Sequence, residues 1–327
     1  MKVLVAGEPG VGKTSLIRGL CGDGFDPGER TTEGIRRVPW ALDCGRRSSV
    51  CEPDGSRCPR EGAEGGSGAG LKNPAVALSE KSRHCHDPPM TITLFIPCFM
   101  DACFPQAGIS MVRVLEKLGH SIEFPAELAC CGQPPFNSGY WDEARKVARP
   151  VLQRLEKAEA VVIGSGSCGA MLKVFYGELF AGEPEEAAAR ALAGRVWEFS
   201  DFLVTKLGVT DVGATFERRV TFHDGCHGLR ELKTKQQPRE LLKHVRGLEL
   251  IEMAEAETCC GFGGTFATKY ASISTAMGEV KCTSAAQTGA EVIVSNDSSC
   301  LMHIQGLLDR QGRPLKTMHL AEVLVQE

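Results

Sequence analysis

Two Cys-Cys-Gly triplets, Cys130-Cys131-Gly132 and Cys259-Cys260-Gly261, recur in this chain of 327 residues. Single cysteines frame each one, Cys98 and Cys168 around the first and Cys226 and Cys300 around the second. The spacing repeats: 31 residues lie between Cys98 and Cys130 against 32 between Cys226 and Cys259, and 36 follow Cys131 against 39 after Cys260. A repeated set of four thiols reads as two related metal sites. Four thiolates suit zinc or an iron–sulfur cluster. Zinc knuckles favour cysteine pairs about two to four residues apart, whereas adjacent cysteines readily address different atoms of a multi-iron core. The spacing therefore favours iron–sulfur, with zinc, thiol chemistry and plain packing as the alternatives.

Glycines follow each doublet, and Gly261-Phe262-Gly263-Gly264 extends the second. They allow backbone to approach a bulky inorganic core and offer N–H donors to its sulfurs. His223 and His227 flank Cys226, where each has either iron ligation and proton movement or an ordinary backbone hydrogen bond open to it. Asp101, Gln133, Asn137 and Asp224 sit near the cysteines and suit either substrate contact and ligand orientation or turn formation and capping. Cys21, Cys103 and Cys282 fit a bland role as buried small hydrophobes.

The elements that must position these residues alternate between strand and helix. Residues 91–96 form a strand-like run ending at Cys98, and 109–118 repeat apolar residues at helical spacing until Gly119. A short strand near 121–124 leads to the first doublet. Ala144, Val147, Ala148, Val151, Leu152 and Leu155 then share a helical face that Pro150 is expected to kink or divide. Residues 160–163 form the next strand, with Cys168 just beyond it. The second half repeats the order: strand 220–222 before Cys226, helix around 239–244, strand-like 248–253 before the doublet, helix 267–288, and strand 291–294 before Cys300. Residues 183–207 between the halves read as helical. The fold class expected is α/β, two pseudo-symmetric halves over 90–208 and 209–327 with mainly parallel sheets, the cysteines gathering beyond the strands' carboxyl ends.

Upstream, the character differs. Gly7-Glu8-Pro9-Gly10-Val11-Gly12-Lys13-Thr14 fits G-x-x-x-x-G-K-[ST] between a strand-like and a helix-like run. Gly7 and Gly12 would let backbone N–H groups face phosphate, Lys13 would reach the outer phosphates, and Thr14 would hold magnesium. The motif resembles the start of a Ras-like or Roc-type GTPase, with Thr31 or Thr32 at the switch I position. No matching D-x-x-G or N-K-x-D follows, so residues 1–47 read as a truncated, vestigial or misjoined P-loop-like segment, with a nucleotide-dependent switch as the alternative reading. Residues 48–89, centred on a Gly/Ser run, have the composition of a disordered linker. Cys44, Cys51, Cys58 and Cys85 with His86 offer a zinc alternative that lacks a C-x-x-C core.

Composition narrows the class. A formal net charge of −4 supplies no basic surplus for nucleic acid or anionic lipid, and 43% hydrophobic residues suit a globular protein. No apolar run approaches the ~20 residues of a membrane helix, and the charged start is unlike a signal peptide, so a cytoplasmic location is expected. In a reducing compartment disulfides are rare, so the 15 cysteines call for another explanation.

Residues 90–327 resemble the cysteine-rich CCG-domain family, which includes the cysteine-rich component of heterodisulfide reductase and the iron–sulfur component of glycolate oxidase, and they look most like its lactate-oxidising branch. The resemblance rests on Pro97-Cys98 with Asp101, Cys130-Cys131-Gly132-Gln133-Pro134 with Asn137-Ser138-Gly139-Tyr140, and Ser165-Gly166-Ser167-Cys168. In the second half it rests on His223-Asp224 with Cys226-His227, Cys259 to Gly264, and Asp297 to Met302. It implies an iron–sulfur oxidoreductase subunit that carries electrons from L-lactate, or a related 2-hydroxy acid such as glycolate. Its implied partners are a ferredoxin-like iron–sulfur protein and a third subunit. Heterodisulfide-reductase sites end in C-x-x-C, whose first position is Ser165 in one half here and Asp297 in the other. With four matching thiols per half, the resemblance implies a 4Fe–4S cubane held by Cys98, Cys130, Cys131 and Cys168, and another held by Cys226, Cys259, Cys260 and Cys300.

Overall fold

The computed structural model describes residues 89–125, 128 and 130–327. The P-loop-like motif, the Gly/Ser-rich run, Cys21 and the alternative zinc set around Cys44 and Cys85 lie outside the described residues.

Two four-stranded sheets carry the chain. The first holds β1 (Thr91–Phe95), β2 (Ser121–Glu123), β3 (Ala160–Ile163) and β4 (Val196–Glu198) in the order β2-β1-β3-β4. The second holds β5 (Arg219–Phe222), β6 (Glu249–Leu250), β7 (Val292–Ser295) and β8 (Lys316–His319) in the order β6-β5-β7-β8. Every pairing is parallel. The two sheets thus share one topology, the α/β arrangement that the alternating sequence predicts. Parallel strands require helical crossovers, which bury them on both faces and explain runs such as Ala160-Val161-Val162-Ile163.

Side-chain alternation divides the core in three. Ile92, Leu94, Ala160 and Val162 of the first sheet join Val220, Phe222, Val292 and Val294 of the second in one shared cluster. It also contains Met111, Val114 and Leu115 of helix Pro105–Lys117, and Leu320 and Leu324 near the C-terminus. On the opposite faces, Phe95, Val161 and Ile163 pack in a cluster private to the first half, and Ile293 in one private to the second. Each private cluster contains the second cysteine of its doublet together with the last framing cysteine. Each centre is thus built into its own half's hydrophobic wall.

Several local expectations change. Helix Trp141–Leu155 runs unbroken through Pro150. Pro150 and Lys146 both lie on the exposed side, so the Lys146 carbonyl that loses its donor faces water. Val147 shares that outer side and is not part of the buried face. The segment expected as helix over 183–207 is helical at Glu186–Ala193 and again at Phe199–Lys206, but Val196–Glu198 between them is the edge strand β4. Three strand residues are too few for a period-2 signal to stand out beside an alanine-rich helix. For the same reason β8 escapes notice, and β6 is far shorter than 248–253. The long helix expected over 267–288 is two, Thr265–Lys269 and Ala271–Gln287.

A polar seam joins the halves. The Ser165 hydroxyl donates to Asp297 Oδ1 at 2.7 Å and the Ser167 hydroxyl to the same oxygen at 3.2 Å. Asn296 Nδ2 donates to Ser200 Oγ at 3.1 Å, and His319 Nε2 lies 3.0 Å from the Gly164 carbonyl. Helices Gly166–Ala170 and Cys226–Arg230 meet here at glycines: a Cβ on Gly166 would fall 2.7 Å from Gly228 N. Gly166→Ala is therefore expected to cost about 1–3 kcal/mol through forced separation of the two helices. Thermal unfolding should show a clear drop in Tm for Gly166→Ala and little change for Gly177→Ala, where the added methyl meets nothing within 4 Å.

Candidate metal centres

Topology brings the predicted cysteines together. In the first half β1 runs into helix Cys98–Cys103, β2 precedes the doublet, and β3 runs into helix Gly166–Ala170 carrying Cys168. These are three adjacent strands, so their carboxyl ends form one rim. β5, β6 and β7 do the same for Cys226, the second doublet and Cys300, the last on helix Ser298–Arg310.

At the first centre Cys131 Sγ lies 3.3 Å from Cys168 Sγ. Cys131 and Cys98 donate to Cys130, and with the Gly132 N–H at 3.5 Å they hold its thiol down to about 3. The partners move the other way: sharing with Cys130 raises Cys98, and sharing with Cys130 and Cys168 raises Cys131. The second centre repeats the pattern. Cys226 and Cys260 donate to Cys259, pushing it down to about 2, and the Gly261 N–H adds a bond at 3.4 Å. Sharing with Cys259 raises Cys226, and sharing with Cys259 and Cys300 raises Cys260. The first cysteine of each doublet is thus the anionic hub of its thiol group.

The loops after the doublets turn on left-handed glycines. Gly132 has φ +87° and a Cβ there would meet the Ala144 carbonyl at 3.2 Å; Gly261 has φ +93° and its Cβ would meet the Ser274 carbonyl at 2.4 Å. Close helix approach and backbone conformation both demand glycine. Phe262 N–H also donates to Cys260 Sγ at 3.5 Å. Tyr176, fully buried, donates to the Cys131 carbonyl at 3.0 Å, and Gln133 Nε2 donates to the Ser167 carbonyl at 3.0 Å. These bonds fix the doublet against the helix that carries Cys168.

Each half therefore offers four convergent thiols, two of them buried against apolar side chains, with N–H donors aimed at sulfur. The soft donor set and the glycine-lined approach fit a thiolate-bound metal or iron–sulfur group. Cys282 belongs to neither site. It is buried in the second half's apolar cluster, with burial pushing its thiol up to about 11.

The other polar residues separate. His223 is fully buried and its ring joins Cys260 and Cys300 in a group whose ligand atoms all lie within 4.8 Å of one another. Burial pushes its imidazole down to about 3. His227 instead pairs through Nδ1 with Glu231 at 3.1 Å. Asp224 is buried against Arg239, which grips it through two bonds of 2.8 and 2.9 Å while holding Glu252 on its other side. Asp224 thus orients the loop after β5 and faces no substrate space. Asp101 and Asn137 are exposed. Ser165 and Asp297, where a fifth thiol would stand, face each other across the halves.

Sequence reasoning missed Lys281. Its ammonium, buried beside the second centre, donates to the carbonyls of Glu255 and Ala256, and burial lowers it to about 8. The available signal was its place on a buried stripe of Ser274, Gly278 and Ala285 at helical spacing.

Two outcomes follow from this geometry. Gly261→Ala should strip metal from the second centre while leaving the first loaded, with metal content falling toward half by elemental analysis. The backbone strain and the 2.4 Å approach drive that loss. Arg239→Met leaves the Asp224 carboxylate buried without its partner, at a cost of about 3–5 kcal/mol, which chemical denaturation would measure.

The comparisons agree with this geometry. The cysteine-rich domain family CCG matches residues 92–173 and again 220–305, one copy per sheet. Over 236 residues the chain is 44% identical to lactate utilization protein A of Geobacillus sp. strain WCH70, covering 72% of this chain and 99% of that one. It is 43% identical, over the same length, to the protein of that name from Oceanobacillus iheyensis, of which it covers 96%. The fold is similar to a hypothetical protein from Helicobacter pylori, at a TM-score of 0.51 and 11% identity, covering 74% of this chain and 50% of that one. With both thiol groups inside the two matched stretches, the chain belongs to the cysteine-rich CCG domain family, as a relative of the lactate utilization A proteins.

Proposed function

We propose that this chain is an iron–sulfur electron-transfer subunit of a cytoplasmic system that oxidises L-lactate to pyruvate. The observation that carries the reading is the pair of four-thiol centres on one duplicated scaffold, in a chain that matches lactate utilization protein A along nearly all of that protein's length. Cys98, Cys130, Cys131 and Cys168 would hold one group, and Cys226, Cys259, Cys260 and Cys300 the other. Residues 90–208 and 209–327 are then the two working halves. Such clusters supply one-electron transfer at potentials set by hydrogen bonds to sulfur and by burial.

The chain's own residues do the positioning. Gly132 and Gly261 bring their N–H groups onto the anionic Cys130 and Cys259 sulfurs, stabilising negative charge at each doublet. The apolar clusters behind Cys131 and Cys260 keep water from the inner side of each centre. Among the described residues no helix is long and apolar enough to cross a membrane. The two-electron step on the 2-hydroxy acid falls to a partner, with a ferredoxin-like iron–sulfur protein and a third subunit completing the system. Glycolate in place of lactate is the nearest alternative substrate, since one methyl group is worth only about 1–3 kcal/mol of discrimination.

Anaerobic purification followed by iron and acid-labile sulfide analysis tests the reading. The expected result is cluster-level iron and sulfide with a visible absorption band that bleaches on reduction. Cys130→Ser and Cys259→Ser should each remove about one of the two clusters, in line with loss of the hub thiolate. A colourless chain that holds zinc alone, or no metal, would sink the proposal in favour of a structural scaffold.

A further inference from the structure

The two halves share topology and cysteine spacing, yet the walls behind their centres differ at one matched position. Cys98 and Cys226 are equivalent, and counting back three residues from each gives Phe95 and His223. Strand register agrees: β1 pairs with β3 through Ile92 opposite Ala160, and β5 with β7 through Val220 opposite Val292, which places Phe95 and His223 at the same point of each sheet. Phe95 is wholly buried in the apolar cluster that contains Cys131 and Cys168. In the second half that place is taken by an imidazole.

A buried histidine is ordinarily satisfied by backbone or side-chain partners. His223 is 0% exposed, and neither Nδ1 nor Nε2 makes a well-formed hydrogen bond, the Ala256 carbonyl offering only a loose approach. Leaving both ring nitrogens unpaired in an apolar wall is unfavourable unless something else engages one of them. The Ala256 carbonyl nearby is already used by the Asp224 N–H and by Lys281. The Ala256 carbonyl, the Lys281 ammonium and the Cys259 sulfur also act on the ring, and its ligand atom lies within 4.8 Å of both the Cys260 and the Cys300 sulfurs.

We propose that the second centre is a mixed imidazole–thiolate site, in which a ring nitrogen of His223 binds the same metal group as Cys226, Cys259, Cys260 and Cys300. The first centre, with Phe95 in that place, is held by thiolates alone. The two centres are therefore chemically unlike. The second centre keeps its four thiolates and gains a neutral fifth ligand, so its ligand set differs from the first without a change in thiolate charge, and a cluster's potential follows its ligands, hydrogen bonds and burial. The two centres are then expected to differ in potential.

This inference rests on the metal-centre reading above, and the experiment separates the two. Chain carrying 15N-labelled histidine is purified anaerobically and reduced, and pulsed EPR is recorded on its iron–sulfur signals. The expected result is a strong histidine-nitrogen coupling on one of the two signals, lost in His223→Phe and kept in His227→Gln. His223→Asn serves as the same arm should the Phe variant not accumulate. No histidine coupling in the unsubstituted chain overturns the proposal. So does a weak coupling of hydrogen-bond size, one that survives at His223→Phe, or one that vanishes at His227→Gln. Iron and sulfide absent from all samples fails the electron-transfer reading instead. Cobalt(II) alone, added to the metal-free chain, then decides the ligand question: paramagnetically shifted ring signals from His223 uphold it, and their absence overturns it.

Discussion

Everything at the two centres depends on parallel strand pairing. A doublet after β2, one cysteine after β1 and one after β3 converge only because all three strands point the same way and lie side by side. Reversing one five-residue strand would carry its cysteine to the opposite rim, about 15 Å away at ~3.3 Å per residue. Parallel pairing in turn forces the crossover helices, and these supply the second constraint. Helix Trp141–Leu155 presses Ala144 against Gly132, and helix Ala271–Gln287 presses Ser274 against Gly261, so the doublet loops are clamped from behind. The thiols are thus brought together by topology and held by packing.

The seam between the halves solves a problem that duplication creates. Two copies of an α/β layer bury the inner faces of both sheets in one shared cluster, which brings the loops after β3 and β7 into contact near the cysteines. Those loops carry unpaired polar backbone and cannot be buried dry. Asp297 supplies the remedy. Its carboxylate collects the Ser165 and Ser167 hydroxyls, while His319 takes up the Gly164 and Asn296 carbonyls from the neighbouring edge. Burial raises the Asp297 carboxyl, and the two serine hydroxyls oppose that shift by bonding the charged form. A thiol at either Ser165 or Asp297 would be a weaker partner for the other. The four-thiol count in each half and the polar seam are therefore one arrangement.

Much of this is legible in the sequence. The repeated cysteine frame, the α/β class and the strands leading to Cys98, Cys168, Cys226 and Cys300 follow from spacing and apolar periodicity alone. What is illegible has definite physical causes. β4 and β8 are edge strands of three and four residues that gain their conformation from pairing with β3 and β7, a tertiary effect with little local signal. Pro150 suggests a division that does not occur, and the Lys146 carbonyl that loses its donor lies on the exposed side, where water can bond it. Asp224 reads as a site residue because it sits two positions before Cys226, yet its partner Arg239 lies on a later helix and only the fold reveals the pairing.

Duplication also explains why the centres need not be alike. Once two copies of a scaffold share a core, the residues facing that core are constrained by both halves, and Leu94 and Phe222 stay apolar accordingly. The private clusters answer only to their own half. There the first half sets Phe95 and Val151, while the second admits His223 on β5's extension and Lys281 on the helix behind it. An ammonium at Lys281 and a neutral imidazole at His223 thus lie beside the second thiolate group, where the first half has Val151 and Phe95. Thiolate charge is costly in an apolar setting, and a neighbouring ammonium offsets that cost at the second centre alone. The symmetry of the fold positions the thiols, and its breaking in the private clusters is what can make one centre the donor and the other the acceptor.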